Sequence, residues 1–430
     1  MLRLLYSLLV SLLSPAAFAR LAVRSIKAPA YRRRWRERLA LQRLPEQRDL
    51  AAPLIWIHAV SVGETVAATP LVKQLRHDYP THQILITSTT PTGSARVLEL
   101  FGDTVLHAYL PYDTAGAMRR FVRKFQPSLL ILMETELWPN LIHACSRRAV
   151  PVVLANARLS ARSARGYKRF AGLTRPMLRQ LELVAAQSEE DAQRFIDAGA
   201  KAADVRVTGS LKFIVEVDYS APLAAGVFDV INDSERLVII AASTRAGEEE
   251  KVLTAFERVL SAHPSALLLL VPRHPERFNE VARLVQARGL SLGRRSENDS
   301  LTAEMQVYLG DSMGEMMSYY RLASIAFVGG SLVDTGCQNV LEPAAFGIPV
   351  VTGPSQYNFA SICRQLEAES ALHTVPDEQR LADYLIDLIP DWPRQAEMGR
   401  RGKALVERNR QSLPALLSLI EPILAPQADA

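Results

Sequence analysis

Short apolar runs recur along most of this chain, and stretches with helical spacing of apolar positions separate many of them. Leu54–Ala59, Ile84–Thr87, Ser128–Met133, Val150–Leu154 and Leu183–Ala186 read as strands, with helices over Glu64–His77 and Pro91–Phe101. Val205–Phe213 reads as the last strand of a first half, running into a linker. The rhythm resumes with strands at Leu237–Ala242, Ala266–Val271, Gln306–Leu309, Ile325–Val328 and Pro349–Thr352. One helix runs to about Leu260, another opens at Asn339, and Glu378 to Leu424 reads as helices. Apolar strands without polar alternation are buried on both faces, so the pattern predicts parallel sheets covered by helices. Ligands of such sheets bind beyond the carboxyl ends of the strands.

The first segment departs from that rhythm. Leu4 to Ala19 carries no charge, while Arg20, Arg24, Lys27, Arg32, Arg33, Arg34, Arg36, Arg38, Arg43 and Arg48 follow it. A secretory signal, a membrane anchor and an in-plane interfacial helix all fit an apolar run of this length. The basic flank favours uncleaved attachment with the rest of the chain in the cytoplasm, and the arginines of the Tyr31–Arg38 cluster are expected to meet anionic lipid. Spanning and in-plane placement both stay open. Nucleic acid is not expected as a partner, since no nucleic-acid motif accompanies the basic cluster.

A length of 430 residues allows two or three domains, and 48% hydrophobic with 22% charged residues excludes a disordered chain. Cys145, Cys337 and Cys363 are far apart and odd in number, which fits a reducing compartment and neither a disulfide framework nor a C-x-x-C metal pattern. The net charge of +5 is modest, and its location matters more than its size. Besides the amino-terminal arginines there is a second basic group, Arg158, Arg162, Arg165, Lys168 and Arg169. It reads as a solvated face or as a contact for a phosphorylated acceptor.

Candidate chemistry sits at the expected strand ends. Glu64 follows the first strand on Ser61-Val-Gly-Glu64, placed either to take a proton from a hydroxyl or to complement the helix dipole. Glu134 and Glu136 follow a later strand. In the second half, Pro272-Arg273, Met313-Gly314-Glu315 and Asn339-x-x-Glu342 end three successive strands. Arg273 can clamp a phosphate, Gly329 and Gly330 can turn backbone N–H groups toward one, and Glu342 can accept two ribose hydroxyls. No Asp-x-Asp pair, phosphate loop or His/Cys ligand group is present, so neither metal nor other cofactor is expected.

Taken in order, Ser61-Val-Gly-Glu64, Met133-Glu-Thr-Glu-Leu-Trp-Pro-Asn140, Thr208-Gly-Ser-Leu-Lys212, Pro272-Arg273, Met313-Gly-Glu315 and Asn339-Val-Leu-Glu-Pro343 resemble the 3-deoxy-D-manno-octulosonic acid (Kdo) transferases over nearly the whole chain. The resemblance implies an α/β GT-B fold, two Rossmann-like domains facing a cleft behind an amino-terminal membrane-attached helix. Expected boundaries are 1–23 for that helix, 24–210 for the acceptor-binding domain and 211–430 for the CMP-sugar domain. It further implies transfer of Kdo from CMP-Kdo to the lipid A precursor at the cytoplasmic face of the inner membrane. Glu64 then matches the catalytic base, and Glu134 and Lys212 match positions that stabilise the transition state. Pro272, Arg273, Met313, Gly314, Glu315, Asn339, Val340, Leu341 and Glu342 match the CMP site. Two departures stand out: Cys337-Gln338 where many members have Gly-His, and Ser210 where many have Asn. A nucleotide-sugar epimerase on the same fold would not need the amino-terminal segment. A tethered lipid-binding protein would not need Glu64, Arg273 and Glu342.

Overall fold

The structure, a computed structural model, describes residues 2–214 and 236–425. The chain divides into two units, Met1–Ile214 with Asn409–Ala430, and Val215–Arg408. The linker expected after Phe213 lies, beyond Ile214, outside the described residues.

The first unit is built on β1 (Leu54–His58), β2 (Gln83–Ser88), β3 (Leu106–Tyr109), β4 (Leu129–Met133), β5 (Val152–Ala157), β6 (Leu183–Ala186) and β7 (Val205–Val207). They form one parallel sheet in the order β3-β2-β1-β4-β5-β6-β7. The strand order reverses between β1 and β4, which is where a crevice for ligand opens in such sheets. Both faces are packed. Trp56, Leu130, Leu132, Phe121 and Phe125 lie on one side, and Ile55, Ile57, Leu71, Leu75 and Ile131 on the other.

The second unit repeats the plan with β8 (Val238–Thr244), β9 (Leu267–Pro272), β10 (Leu292–Arg294), β11 (Val307–Leu309), β12 (Ile325–Val328), β13 (Val350–Thr352) and β14 (Leu372–Thr374). Its parallel sheet runs β10-β11-β9-β8-β12-β13-β14, and its reversal falls between β8 and β12. The edge strands β3, β10 and β14 escape the sequence reading because each is three or four residues long with mixed polarity.

Three expectations are corrected. The helix at Asn339 begins later, at Leu341, because Val340 occupies the N-cap and the Asn339 side chain accepts the Leu341 N–H at 3.1 Å. The last helix, Ser412–Leu424, does not stay with the second half: Leu416 and Ile420 are buried in the first unit beside Leu71 and Leu75 of helix Val62–Asp78. A leucine face of that size is buried where a matching apolar groove exists, whatever the chain order. Finally, Arg34 and Arg38 of the Tyr31–Arg38 cluster turn to protein partners rather than lipid, and Arg48 beyond it does the same. Arg34 pairs with Glu37 at 2.6 Å, Arg38 is buried and donates to the Thr89 carbonyl at 2.6 Å, and Arg48 is buried and donates to the Phe125 carbonyl at 2.9 Å. Five donors on a planar fork let a guanidinium satisfy several loop carbonyls at once.

The amino-terminal helix, Leu2–Lys27, is long and apolar enough to cross a membrane by length and composition. It touches the rest of the first unit near its start and again past its middle. Near its start, the Tyr6 hydroxyl donates to Asp113 at 2.9 Å and Ser7 to Asn140 at 2.6 Å. Farther along, the Phe18 ring packs against Trp35 and Tyr112, with centroids 5.6 and 5.2 Å apart. Leu4, Leu5, Leu8, Leu9, Leu12, Leu13, Val23 and Ile26 remain exposed.

Candidate active site

In the first unit, the loop after β1 and the loop after β4 meet the switch-point expectation. Ser61 caps helix Val62–Asp78, and Glu64 completes a capping box: Ser61 Oγ accepts the Glu64 N–H at 3.4 Å, while Glu64 accepts the Val60 N–H at 2.8 Å and the Ser61 hydroxyl at 2.9 Å. The capping role of Glu64 is therefore real. Burial pushes its carboxyl up to about 7; the Val60 N–H opposes the rise, and the charges of Glu136 and Glu134 add to it. A carboxylate held near neutrality is suited to accept a proton at physiological pH.

Glu134 lies just past β4 with φ +57, a conformation that L side chains avoid. Its carboxylate is 2.6 Å from the Lys212 ammonium, with side-chain exposures of 17% and 25%. Lys212 is held in place from behind. Asn156, buried near the end of β5 with φ +53, accepts the Leu211 N–H at 3.0 Å and the Ser210 hydroxyl at 3.3 Å. Sequence reasoning missed Asn156; a polar residue inside an apolar strand was the available signal. Burial also raises Glu136, against the hydrogen bond it accepts from the Trp138 indole at 3.0 Å. Backbone strain next to a strand end is often kept where function demands it.

In the second unit, Pro272 ends β9, and the Arg273 N–H donates to the Thr244 carbonyl at 3.0 Å, leaving an exposed guanidinium. The Asn339 amide donates to Glu342 at 3.0 Å. Burial pushes the Glu342 carboxyl up to about 7, against the Asn339 hydrogen bond and the charge of Arg273. Arg273, Asn339 and Glu342 are thus brought together. Val340 and Leu341 are buried and seat the helix start rather than present side chains to a ligand. Met313 is exposed, and Gly314 has φ +85. The Glu315 carboxylate pairs with Arg295 at 2.9 Å, a partner the sequence did not suggest. Burial works to raise Glu315, but hydrogen bonds from Arg295, Ser312 and Tyr319 together with the Arg295 charge outweigh it, and the carboxyl sits below its ordinary range.

The glycine pair behaves differently from expectation. The N–H groups of Gly330, Ser331 and Leu332 do not point at open space for a phosphate. They donate to the buried Glu248 carboxylate at 2.6, 2.9 and 2.9 Å.

Comparisons with known proteins fit this architecture. Residues 231–405 match the model described as Glycosyl transferases group 1. A glycosyltransferase from Rickettsia africae superimposes with a TM-score of 0.50 at 14% identity, covering 87% of this chain and 100% of that one; the likeness bears on fold alone. The fold is that of a GT-B type glycosyltransferase. Residues 33–215 match the model described as 3-Deoxy-D-manno-octulosonic-acid transferase (kdotransferase). The 3-deoxy-D-manno-octulosonic acid transferase of Haemophilus influenzae is 41% identical over 424 residues, spanning 98% of this chain and 99% of the relative. That of Bordetella pertussis is 41% identical over 366 residues, 83% of each chain. The chain belongs to the 3-deoxy-D-manno-octulosonic acid transferase family, and its activity is that of a Kdo transferase.

Proposed function

We propose that this transferase moves Kdo from CMP-Kdo to a hydroxyl of the lipid A precursor, lipid IVA, in one displacement that inverts the anomeric carbon. The observation that carries the reading is Glu64, a half-buried carboxylate raised to about 7 at the switch point of the first sheet. Glu64 takes the proton of the acceptor hydroxyl while the hydroxyl oxygen bonds the anomeric carbon. The bond from that carbon to the CMP phosphate breaks, and the electron pair leaves with CMP. Lys212, fixed by Glu134, supplies positive charge to the transition state. In the second unit, Arg273 faces the phosphate and Glu342 the ribose hydroxyls, with Met313–Glu315 and the Asn339 start completing the CMP site. The domain reading that follows is an acceptor-binding first unit and a CMP-sugar-binding second unit. A metal-free step rests on the lack of an Asp-x-Asp pair in the sequence.

The acceptor is acylated and phosphorylated. A cavity of about 510 Å³ between the amino-terminal helix and the first sheet is lined by Arg20, Arg24, Tyr112 and Trp138, among others, which suits phosphates beside acyl chains. The test is mass spectrometry of tetraacylated lipid A precursor incubated with the protein and CMP-Kdo. A gain of one or more Kdo units is expected. CMP release without any gain would sink the acceptor assignment.

Attachment to the inner membrane, cytoplasmic side, is part of the same proposal. A helix of 26 residues is about 39 Å long, and contacts near its start and past its middle support a helix lying in the headgroup layer rather than spanning. Leu9 and Leu12 are 54% and 70% exposed. The double variant Leu9→Asp/Leu12→Asp is expected to weaken binding to anionic vesicles at least about tenfold, since each leucine contributes about 1.5–3 kcal/mol when buried. CMP binding should be unchanged. Vesicle sedimentation measures it, and unchanged sedimentation would mean that another surface makes the attachment.

A further inference from the structure

Glu248 opens helix Glu248–Ala262 and is fully buried. Its carboxylate accepts four backbone N–H groups: Gly330 at 2.6 Å, Ser331 and Leu332 at 2.9 Å, and Arg245 at 3.1 Å. Gly330 has φ +75, and three successive N–H groups converging on one point form the kind of concavity that binds anions. Here the anion is the chain's own. The turn is also tightly fitted. A Cβ on Gly329 would lie 2.7 Å from the Ser243 carbonyl oxygen, and one on Gly330 would lie 2.5 Å from the Gly336 carbonyl oxygen. From the turn, fixed contacts run onward to the residues proposed to hold the donor. The Gln338 N–H donates to the Gly329 carbonyl at 2.9 Å, the Thr335 hydroxyl to the Gly330 carbonyl at 3.2 Å, and Asn339 and Glu342 follow directly.

We infer that Glu248 is a positioning residue for donor binding: by filling the anion concavity at Gly330–Leu332, it fixes the loop that carries Asn339 and Glu342 and keeps the donor's own anionic groups off that turn. Nothing in its own position requires it to touch substrate. The inference rests on the donor reading above.

Glu248→Gln tests it. The amide keeps one oxygen for Ser331 and Leu332 but sets an NH2 group against the N–H groups of Gly330 and Arg245. Losing hydrogen bonds to a charged group and leaving donors unpaired is expected to raise the KM for CMP-Kdo and the Kd for CMP about tenfold or more. At saturating donor, kcat should stay within about threefold, because the proposed base is in the other unit and is untouched. A purely structural role predicts a lowered Tm with KM unchanged. Leu388→Ala, which opens the core of the same unit far along the sequence, supplies that comparison. Glu248→Gln with wild-type KM and Kd would overturn the inference. If the wild-type protein fails to bind CMP at all, the donor reading falls instead. Amide hydrogen exchange then decides the positioning claim by itself. Exchange at Gly330–Leu332 and Gln338 should quicken in Glu248→Gln and not in Leu388→Ala, and unchanged exchange would overturn the claim.

Discussion

Glu64→Gln is expected to lower kcat by about 100- to 10,000-fold, the usual contribution of a positioned general base. Glutamine is the informative replacement. Its amide oxygen can still accept the Val60 N–H and its NH2 can donate to Ser61 Oγ, so both capping partners are kept while the proton acceptor is lost. CMP binding should stay at the wild-type level. The wild-type pH profile makes a second check. The base acts ionised, and burial holds Glu64 near 7, so kcat/KM should climb as pH rises through about 7 and then level off. Stability runs the other way. A carboxyl raised in the folded state favours folding below its unfolded value, and that contribution is lost as pH rises through about 7. Glu64→Gln should therefore melt at a higher temperature than wild type at mildly alkaline pH, by calorimetry. Wild-type turnover in Glu64→Gln would remove Glu64 as the base.

Lys212→Ala is expected to be nearly as damaging, with a fall of about 100-fold or more in kcat/KM near neutral pH. Removing one preorganised charge from a transition state typically costs about that much. There is a second effect with its own signature. Without the ammonium 2.6 Å away, Glu134 becomes an uncompensated negative charge in a group that already raises Glu64. The rising limb of the pH profile should move to higher pH, and part of the lost rate should return there. The double variant Glu134→Gln/Lys212→Met separates the two effects. It should bring the limb back toward its wild-type position while leaving the maximal rate low. A Lys212→Ala enzyme with an unshifted limb and near-normal rate would show that the pair serves packing only.

Much of this was legible before any coordinates. The long apolar strands announce themselves because burial on both faces leaves no room for polar residues, and Leu129–Met133 and Ile325–Val328 are nearly uninterrupted. The ordered motifs then placed Glu64, Glu134 and the second-unit residues at strand ends, while Lys212, read within a last strand over Val205–Phe213, lies past the shorter strand Val205–Val207 in the turn Leu211–Phe213. What stayed hidden depends on partners distant in sequence. Glu248 looks like one of three ordinary acids in a first helical turn until the fold sets it beneath Gly330, 82 residues later. Asn156 and Lys212 are related through the loop at Ser210 and Leu211. The arginines after the apolar segment look alike as letters, yet Arg38 and Arg48 are buried while Arg20 and Arg24 are exposed. Cys337 and Cys363 are 26 residues apart and reduced, with sulfurs 3.8 Å from each other, a proximity that spacing alone could not suggest.

The return of Ser412–Leu424 to the first unit also sets an order of events on the ribosome. The groove beside helix Val62–Asp78, the helix that carries Glu64, is made early and filled last. About 190 residues stand between the two parts, so at about 5–20 residues per second the nascent first unit waits on the order of 10 to 40 s with an open apolar groove. A fragment ending near Ile214 would keep that groove open permanently, and would be a client for holding chaperones rather than a soluble domain.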